Sequence, residues 1–280
     1  MRLFLLIALA MLAFAANSIL NRFALAQGAI DPGGFALLRL ASGGLFLWGM
    51  VAAQGKRLAS GGVSGVLSLA AYMLGFSFAY ISLDTGVGAL ILFGGVQITM
   101  FAGALLAREH LPWTRWCGAL VAFVGLVYLL WPTQGGTFSP FGVSMMVLAA
   151  IGWGVYSLIG KRAQDPLATT AGNFVFAIPL ALAVAVFTAQ DVSYSTLGIV
   201  LAVISGVVTS GMGYALWYAI LPRIPSSVAA IAMLTVPVLA SLGGVVFLSE
   251  AFTLQLMIST ILVIAGVLIS LKKPAVAVTN

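Results

Sequence analysis

Residues 120–131 read LVAFVGLVYLLW, a continuous apolar run without a charged residue. A transmembrane β-strand would alternate apolar and polar side chains over about ten residues, so this run favours a helix. Similar apolar runs, each of about 20 residues, recur between short clusters of charge, and a bilayer core about 30 Å thick needs a helix of that length. The sequence therefore predicts an all-α membrane protein.

The composition of the chain excludes an ordinary soluble domain. Of 280 residues, 62% are hydrophobic and 6% are charged, whereas a soluble domain has about 25% charged residues. So few polar side chains cannot cover a water-soluble surface, and we expect the lipid bilayer to contact most of the protein. Basic cytoplasmic loops explain the net charge of +6 better than a nucleic-acid partner does. With one His and one Cys, no metal or cofactor is expected.

Prolines and charge clusters divide the chain into ten predicted transmembrane helices. Pro32, Pro112 and Pro140 stand just before helices, where a missing N–H costs nothing. The first apolar run continues to Ala26, so we expect an uncleaved first helix rather than a signal peptide. Connections are short, and no soluble domain fits between the spans. The predicted spans are residues 3–24, 33–53, 63–83, 86–107, 113–131, 141–160, 170–187, 197–221, 227–248 and 253–271.

Positive charges predict the orientation in the membrane. If both termini are cytoplasmic, Arg22 is the only Lys or Arg residue on the outer side, and Arg39 lies inside a span. Such a strong bias agrees with the positive-inside rule. We therefore predict a multi-pass protein of the bacterial inner membrane, N-in and C-in, with residues 274–280 as a cytoplasmic tail. The ten cytoplasmic basic residues are then Arg2, Lys56, Arg57, Arg108, Arg115, Lys161, Arg162, Arg223, Lys272 and Lys273.

The second half of the chain echoes the first. GVQITMFAGALLARE (95–109) compares with TVPVLASLGGVVFLSE (235–250), and this pairing sets Gln97 against Pro237. Residues 1–133 and 138–273 each contain five predicted spans. Because five is an odd number, the second copy enters the membrane upside down. Inverted five-helix repeats are typical of secondary transporters, whose sites lie near the midplane between the repeats.

Several motifs resemble the ten-helix EamA-type exporters of the drug/metabolite transporter superfamily. They are Asn17 in helix 1, Arg39 within FALLRLASGG in helix 2, the W-x-x-Y formed by Trp153 and Tyr156 in helix 6, and LTVPVLASLGG in helix 9. The resemblance covers nearly the whole chain and is greatest to exporters of aromatic amino acids. It implies export of a small solute. One departure is Gln97, which stands where these exporters usually have a helix-4 proline.

Three polar residues within the spans are candidate substrate-binding residues. Arg39 is the one ionised residue well inside a span, where charge is costly. It either contacts an anion, such as a substrate carboxylate, or bonds backbone carbonyls and extends toward the outer interface. Gln97, near the middle of helix 4, either binds substrate or bridges helices. Asn17 shares a helix face with Asn21.

Aromatic side chains form stripes on several predicted helices. The candidates are Tyr72 and Tyr80 on helix 3, Trp153 and Tyr156 on helix 6, and Tyr214 on helix 8. Any one stripe is explained by packing, but several that converge at the midplane would form a cavity suited to flat apolar solutes.

Pro237 is a candidate hinge because it leaves the carbonyl of Met233 without its helical donor. The alternatives are a static kink or a carbonyl that accepts a hydrogen bond from the ligand.

The missing residue types narrow the mechanism. No Asp, Glu or His is predicted at the midplane, so proton antiport is not expected, and no Walker-type loop indicates ATP-driven transport. No nucleophile or acid/base pair indicates an enzyme. The sequence predicts a secondary transporter that exports aromatic or other apolar amino acids by alternating access, as uniport or exchange. The alternative is an exporter of drugs or cationic compounds. We expect a monomer or a weak homodimer.

Overall fold

The computed structural model describes residues 2–108, 111–131, 138–161, 163–189, 194–224 and 226–271. Every regular element in these ranges is helical, which confirms the all-α prediction for this part of the chain. The elements are α1 (Arg2–Ala26), α2 (Pro32–Ala53), α3 (Gly62–Ala79), α4 (Thr85–Leu106), α5 (Trp113–Leu130), α6 (Pro140–Gly160), α7 (Pro166–Thr188), α8 (Thr196–Ile204), a π-helix (Ser205–Met212), α9 (Gly213–Ile220), a 3₁₀ turn (Leu221–Arg223), α10 (Ser226–Met233), α11 (Thr235–Leu248) and α12 (Leu254–Leu271).

The helices correspond to the predicted spans, with two irregularities. Nine helical segments in the described ranges are long and apolar enough to cross a membrane, and one of them, Thr196–Arg223, joins α8, the π-helix, α9 and the 3₁₀ turn. The predicted ninth span contains α10 and α11, which are separated at Leu234. The chain is therefore a multi-pass helical membrane protein whose eighth and ninth spans both depart from a regular α-helix.

Side-chain caps explain where several helices begin. Asp31, Ser139, Asp165 and Ser195 each precede a helix and accept a hydrogen bond from a backbone N–H of its first turn. Such caps satisfy donors that have no partner within the helix. Three of these helices, α2, α6 and α7, also carry a proline in the first turn, where its missing N–H is tolerated.

Small residues let the helices pack closely. A Cβ atom on Gly43 of α2 would lie 2.8 Å from the carbonyl oxygen of Gly206 in the π-helix. A Cβ atom on Gly75 of α3 would lie 2.6 Å from the carbonyl oxygen of Met145 in α6. Close backbone approach through such positions is a main source of helix association in lipid, because hydrocarbon removes the hydrophobic driving force between helices.

Contacts between the two halves of the chain extend over the whole bundle. Helix α2 packs on α7, α4 on α11, and α5 on α12. Helix α1 of the first half packs against the π-helix, α9 and α11, and α6 of the second half packs against α3 and α4. The middle of the bundle, where α1, α3, α4, α6 and α9 meet, contains the candidate site.

Candidate functional site

A small, partly open cavity lies between the two halves. The lining combines aromatic, aliphatic and uncharged polar side chains from both halves. The lining residues are Phe14, Asn17, Ser18, Tyr72, Phe76, Leu92, Phe93, Trp153, Tyr214 and Met233.

Aromatic rings from three helices converge on Trp153. Its ring centroid lies 4.8 Å from that of Tyr72 on α3, 5.3 Å from that of Tyr214 on α9, and 5.6 Å from that of Tyr156 on its own helix. These separations are typical of favourable aromatic pairs. The predicted stripes on helices 3, 6 and 8 therefore meet in one cluster, which forms a wall of the cavity.

Arg39 is completely buried beside this cluster. Its Nε atom donates a hydrogen bond to the Ser210 hydroxyl at 3.0 Å, and its Nη2 atom donates to the Tyr72 hydroxyl at 3.2 Å. The guanidinium carbon also lies 5.5 Å from the ring centroid of Tyr72 and 5.1 Å from that of Phe76. The side chain therefore extends into the bundle and not toward the membrane interface.

The bonding of Arg39 is incomplete. Its Nη1 atom is buried and has no hydrogen-bond partner among the described residues, and within the same residues it forms no ion pair. A guanidinium remains charged in proteins, and a buried charge is costly unless an opposite charge or hydrogen bonds compensate it. An anion that reached Nη1 would therefore be bound favourably.

Asn17 links α1 to the π-helix at the cavity surface. Its side-chain oxygen accepts hydrogen bonds from Ser205 at 2.8 Å and from Thr209. Its backbone oxygen accepts from Asn21 at 2.9 Å, and Ser77 of α3 donates to Asn21 at 3.1 Å. No hydrogen bond from the Asn17 amide nitrogen occurs within the described part of the chain, so this lining residue keeps N–H donors available to a ligand.

Four predicted site residues lie outside the lining of this cavity, namely Arg39, which is buried behind it, and Tyr80, Gln97 and Tyr156. Tyr80 is fully buried at the end of α3, where its hydroxyl donates to the backbone oxygen of Thr85 at 3.2 Å. Gln97 is half-buried on α4, and Phe93, one turn earlier, lines the cavity instead. Tyr156 reaches the cluster through Trp153, but its hydroxyl lies in a second cavity, where it donates to Thr170 at 2.9 Å.

Pro237 lies next to the break in the ninth span. It is the third residue of α11, and the preceding α-helix ends at Met233, which lines the cavity. Since a proline has no N–H to donate to the residue four positions earlier, the carbonyl of Met233 lacks its usual helical donor. The break therefore occurs directly at the cavity wall.

The sequence did not predict the π-helix Ser205–Met212 as part of the site. This segment supplies Ser205 and Thr209 to Asn17, and Ser210 to Arg39. π-helices are rare and concentrate at functional positions. The run SGVVTSG (205–211) carries three hydroxyls in an otherwise apolar span, and this was the available signal.

Ion pairs join the helices at one end of the bundle. Arg22 bonds Asp84 at 2.9 Å and Glu250 at 3.3 Å. Glu250 also accepts a hydrogen bond from the backbone N–H of Thr85 at 2.8 Å. Burial raises the pKa of the Glu250 carboxyl above its ordinary value, and the hydrogen bonds from Thr85 oppose this effect. These contacts tie α1, the start of α4 and the connection after α11 together.

A second ion pair lies at the opposite end of the bundle, where it joins the connection after α2 to the connection after α6. Lys56 bonds Asp165 at 2.6 Å. The hydrogen bond from Lys56 lowers the pKa of the Asp165 carboxyl, and the backbone N–H of Ala168 contributes in the same direction. Both side chains are partly exposed, so the pair contributes little to stability.

Known proteins match this chain over most of its length. Residues 140–272 match the EamA-like transporter family. An uncharacterized protein of Pseudomonas aeruginosa is 40% identical over 269 residues, which cover 95% of this chain and 93% of that protein. An uncharacterized transporter of Archaeoglobus fulgidus is 27% identical over 96% of this chain and 97% of its own. A protein of known crystal structure is 23% identical, has a TM-score of 0.67, and aligns over 94% of this chain and 96% of its own, which supports the fold.

Proposed function

We propose that this chain, whose residues 140–272 match the EamA-like transporter family, exports aromatic and other apolar amino acids across the bacterial inner membrane. The observation that carries the proposal is the position of Arg39, an incompletely bonded cation buried directly behind an aromatic cavity wall. Aromatic rings stack favourably against a flat apolar side chain, and a carboxylate is the group that complements the guanidinium.

The carboxylate is bound through residues that line the cavity. The Tyr72 hydroxyl accepts a hydrogen bond from Arg39 and so keeps its own proton to donate to a ligand. Asn17 offers its amide N–H groups at the same cavity. The guanidinium strengthens the Tyr72 donor, and it can also bond the carboxylate directly through Nη1. The ammonium group of the amino acid lies against the faces of Trp153 and Tyr214, which attract cations.

Export of cationic compounds, the alternative from the sequence, receives less support. The described lining of the cavity includes no Asp or Glu, whereas Arg39 places a positive charge behind it. Two like charges repel strongly in a medium of low dielectric constant. A solute with a net positive charge is therefore disfavoured at this position.

The arrangement of the two halves supports transport by alternating access. Contacts between α2 and α7, between α4 and α11, and between α5 and α12 join spans that are equivalent in the predicted repeats, so the two halves meet through corresponding helices. The break at Leu234 beside Pro237 gives the ninth span a point at which it can bend. With both termini in the cytoplasm, the Arg22 cluster lies at the outer end. The lining offers no described carboxylate or imidazole for proton coupling, which favours uniport or exchange.

Reconstitution in liposomes tests this proposal. Counterflow of radiolabelled L-phenylalanine is expected, with competition by L-tryptophan and L-leucine. Phenethylamine, which lacks the carboxylate, and tetraphenylphosphonium, an apolar cation, are expected not to compete. Competition by both cations without transport of L-phenylalanine would favour the drug exporter. Strong accumulation driven by an imposed pH gradient would contradict uniport and exchange.

A further inference from the structure

A second, smaller cavity lies where α6 ends and α7 begins. Tyr156 and Tyr218 line it, whereas their ring partners Trp153 and Tyr214 line the central cavity. The ring centroids of Trp153 and Tyr156 are 5.6 Å apart, and those of Tyr214 and Tyr218 are 6.3 Å apart, both pairs stacked. The two cavities therefore share a wall of stacked rings and lie in succession along the bundle.

The hydroxyl groups of the second cavity form a chain that ends in a free donor. Tyr156 donates to Thr170 at 2.9 Å, and Thr170 donates to Tyr218 at 3.2 Å. Since each hydroxyl has one proton, both of the first two protons are used. The proton of the Tyr218 hydroxyl remains available to a ligand in the cavity.

Asn173 adds two more donors to the same cavity. Its side chain is 1% exposed, and its oxygen accepts hydrogen bonds from the backbone N–H of Gly61 at 3.0 Å and from the Ser60 hydroxyl at 3.2 Å. The backbone donor fixes which end of the amide is the oxygen. The Nδ2 atom is buried and lies near the Tyr156 hydroxyl, but it makes no hydrogen bond of normal geometry to the described residues, although buried donors are nearly always paired.

The charges near this cavity favour an anion. Lys161 follows directly after Gly160, which lines the cavity, and Lys161 is exposed. Asp165 precedes the lining residue Pro166, but its charge is neutralised by Lys56 at 2.6 Å. Within the described residues the local balance is therefore positive, and the unpaired groups inside the cavity are donors.

We propose that this second cavity binds the carboxylate of the transported solute, with Asn173 Nδ2 and the Tyr218 hydroxyl as its donors. The inference rests on the proposed function for the substrate class and for the orientation, which places this cavity at the cytoplasmic end. An exported solute enters from that side, so it occupies this position before it passes the stacked rings to the central cavity.

Equilibrium binding of radiolabelled 3-phenylpropionate to the full-length protein in lipid nanodiscs tests the inference. The wild type is expected to bind two molecules per chain. Asn173→Asp keeps an oxygen for Gly61 and Ser60 but replaces the N–H donors by a carboxylate oxygen, and loss of about tenfold or more in affinity at one of the two sites is expected. Tyr218→Phe keeps the ring and is expected to weaken the same site. Ser60→Ala removes the bond to the Asn173 oxygen and the bond accepted from the Gly62 N–H, but it removes no donor of the cavity, so it should leave two sites.

The outcomes separate this inference from the proposed function. One binding site in the wild type, lost in Tyr72→Phe and unaffected by Asn173→Asp, would overturn the second position and leave the central site intact. Absence of any binding to the wild type would overturn both. A thermal unfolding curve for each variant identifies loss of binding that results from misfolding. If Asn173→Asp does not fold, binding to Tyr218→Phe tests the inference instead.

Discussion

The Nε atom of Arg39 and the hydroxyl of Ser210 form a hydrogen bond of 3.0 Å that connects the interior of α2 to the π-helix. The same π-helix bonds Asn17 of α1 through Ser205 and Thr209. One irregular segment therefore holds Arg39 and Asn17, two of the polar groups that we assign to carboxylate binding in the central cavity. Because the segment depends on its unusual hydrogen-bond register, a change there would move both groups together.

Replacement of Arg39 by lysine is expected to reduce counterflow of L-phenylalanine by about tenfold or more. Lysine keeps the positive charge but lacks the planar fork that bonds Ser210 and Tyr72 at once, and loss of a hydrogen bond to a charged group costs about 1.5–3 kcal/mol. Initial rates in proteoliposomes, normalised to inserted protein, measure the effect. Arg57→Lys, in the exposed connection after α2, is the matched control. Equal rates for Arg39→Lys and wild type would show that Arg39 is structural.

Replacement of Trp153 by leucine is expected to lower competition by L-tryptophan more than competition by L-leucine. The indole ring supplies three aromatic contacts in the wall of the cavity, each worth about 0.5–1.5 kcal/mol beyond burial, whereas an aliphatic solute uses less of this surface. The ratio of the inhibition constants for L-tryptophan and L-leucine in the counterflow assay measures this change in selectivity. Trp113→Leu changes a tryptophan that is 76% exposed, and its ratio should equal that of the wild type. An equal shift in both variants would argue against a substrate-facing role for Trp153.

The sequence predicted the helices well because membrane spans depend on properties that are local in the chain. Apolar length and the positions of Pro32 and Pro140 are sufficient to locate helices of about 20 residues. The convergence of Tyr72, Trp153 and Tyr214 was one of two open alternatives, since periodicity identifies a helix face but not its neighbour. Only the packing of α3, α6 and α9 decides which faces meet.

The prediction for helix 3 wrongly placed Tyr80 on the same face as Tyr72. At about 100° per residue, Phe76 is rotated by about 40° from Tyr72, but Tyr80 is rotated by about 80°. Tyr80 also lies at the end of α3, where its hydroxyl meets Thr85. The π-helix was beyond prediction for a related reason, since an i→i+5 register shifts every later face. The hydroxyls of SGVVTSG were visible, but their direction was not.

Replacement of Pro237 by alanine is expected to slow transport several-fold while the protein still inserts. The alanine supplies the N–H that the Met233 carbonyl lacks, which favours a continuous helix across Leu234 and a less bendable ninth span. Counterflow rates and thermal unfolding are measured together, and higher stability with lower flux is the expected combination. Pro179→Ala, at an exposed proline inside α7, controls for proline removal. Normal flux in Pro237→Ala would mean that the break is a static kink.

The stability of the bundle is expected to depend on pH through Glu250. Burial raises the pKa of its carboxyl above the ordinary value of 4.5, so the folded protein holds this proton more tightly than the unfolded chain does. The corresponding stabilisation is present at low pH and is lost as pH rises through the folded pKa. Glu250→Gln lacks this titration, so its unfolding temperature should rise relative to the wild type as pH increases above 4.5. A difference that is constant with pH would contradict the assignment.

The contact between Tyr194 and Asp31 can be tested by a titration at higher pH. A hydrogen bond to Asp31, followed by burial, raises the pKa of the Tyr194 hydroxyl to about 12. The ultraviolet absorbance change of tyrosinate formation should therefore include a component near pH 12 that is absent from Tyr194→Phe. In Asp31→Asn this component should move toward pH 10, because the carboxylate that disfavours ionisation is gone. No movement in Asp31→Asn would show that the two side chains are not coupled.

Replacement of Gly118 by alanine is expected to destabilise the packing of α5 on α12. A Cβ atom at Gly118 would overlap the carbonyl oxygen of Gly266 and lie 2.7 Å from the Ser270 backbone nitrogen, so the helices must separate, and overpacking of this kind costs about 1–3 kcal/mol. Gly49→Ala is the matched control, because a Cβ atom there meets nothing within 4 Å and should be neutral or stabilising. Thermal unfolding in detergent measures both variants. Because this contact is remote from the cavity lining, flux per folded Gly118→Ala molecule should remain normal, and reduced flux would instead place α5 and α12 among the moving parts of the transport cycle.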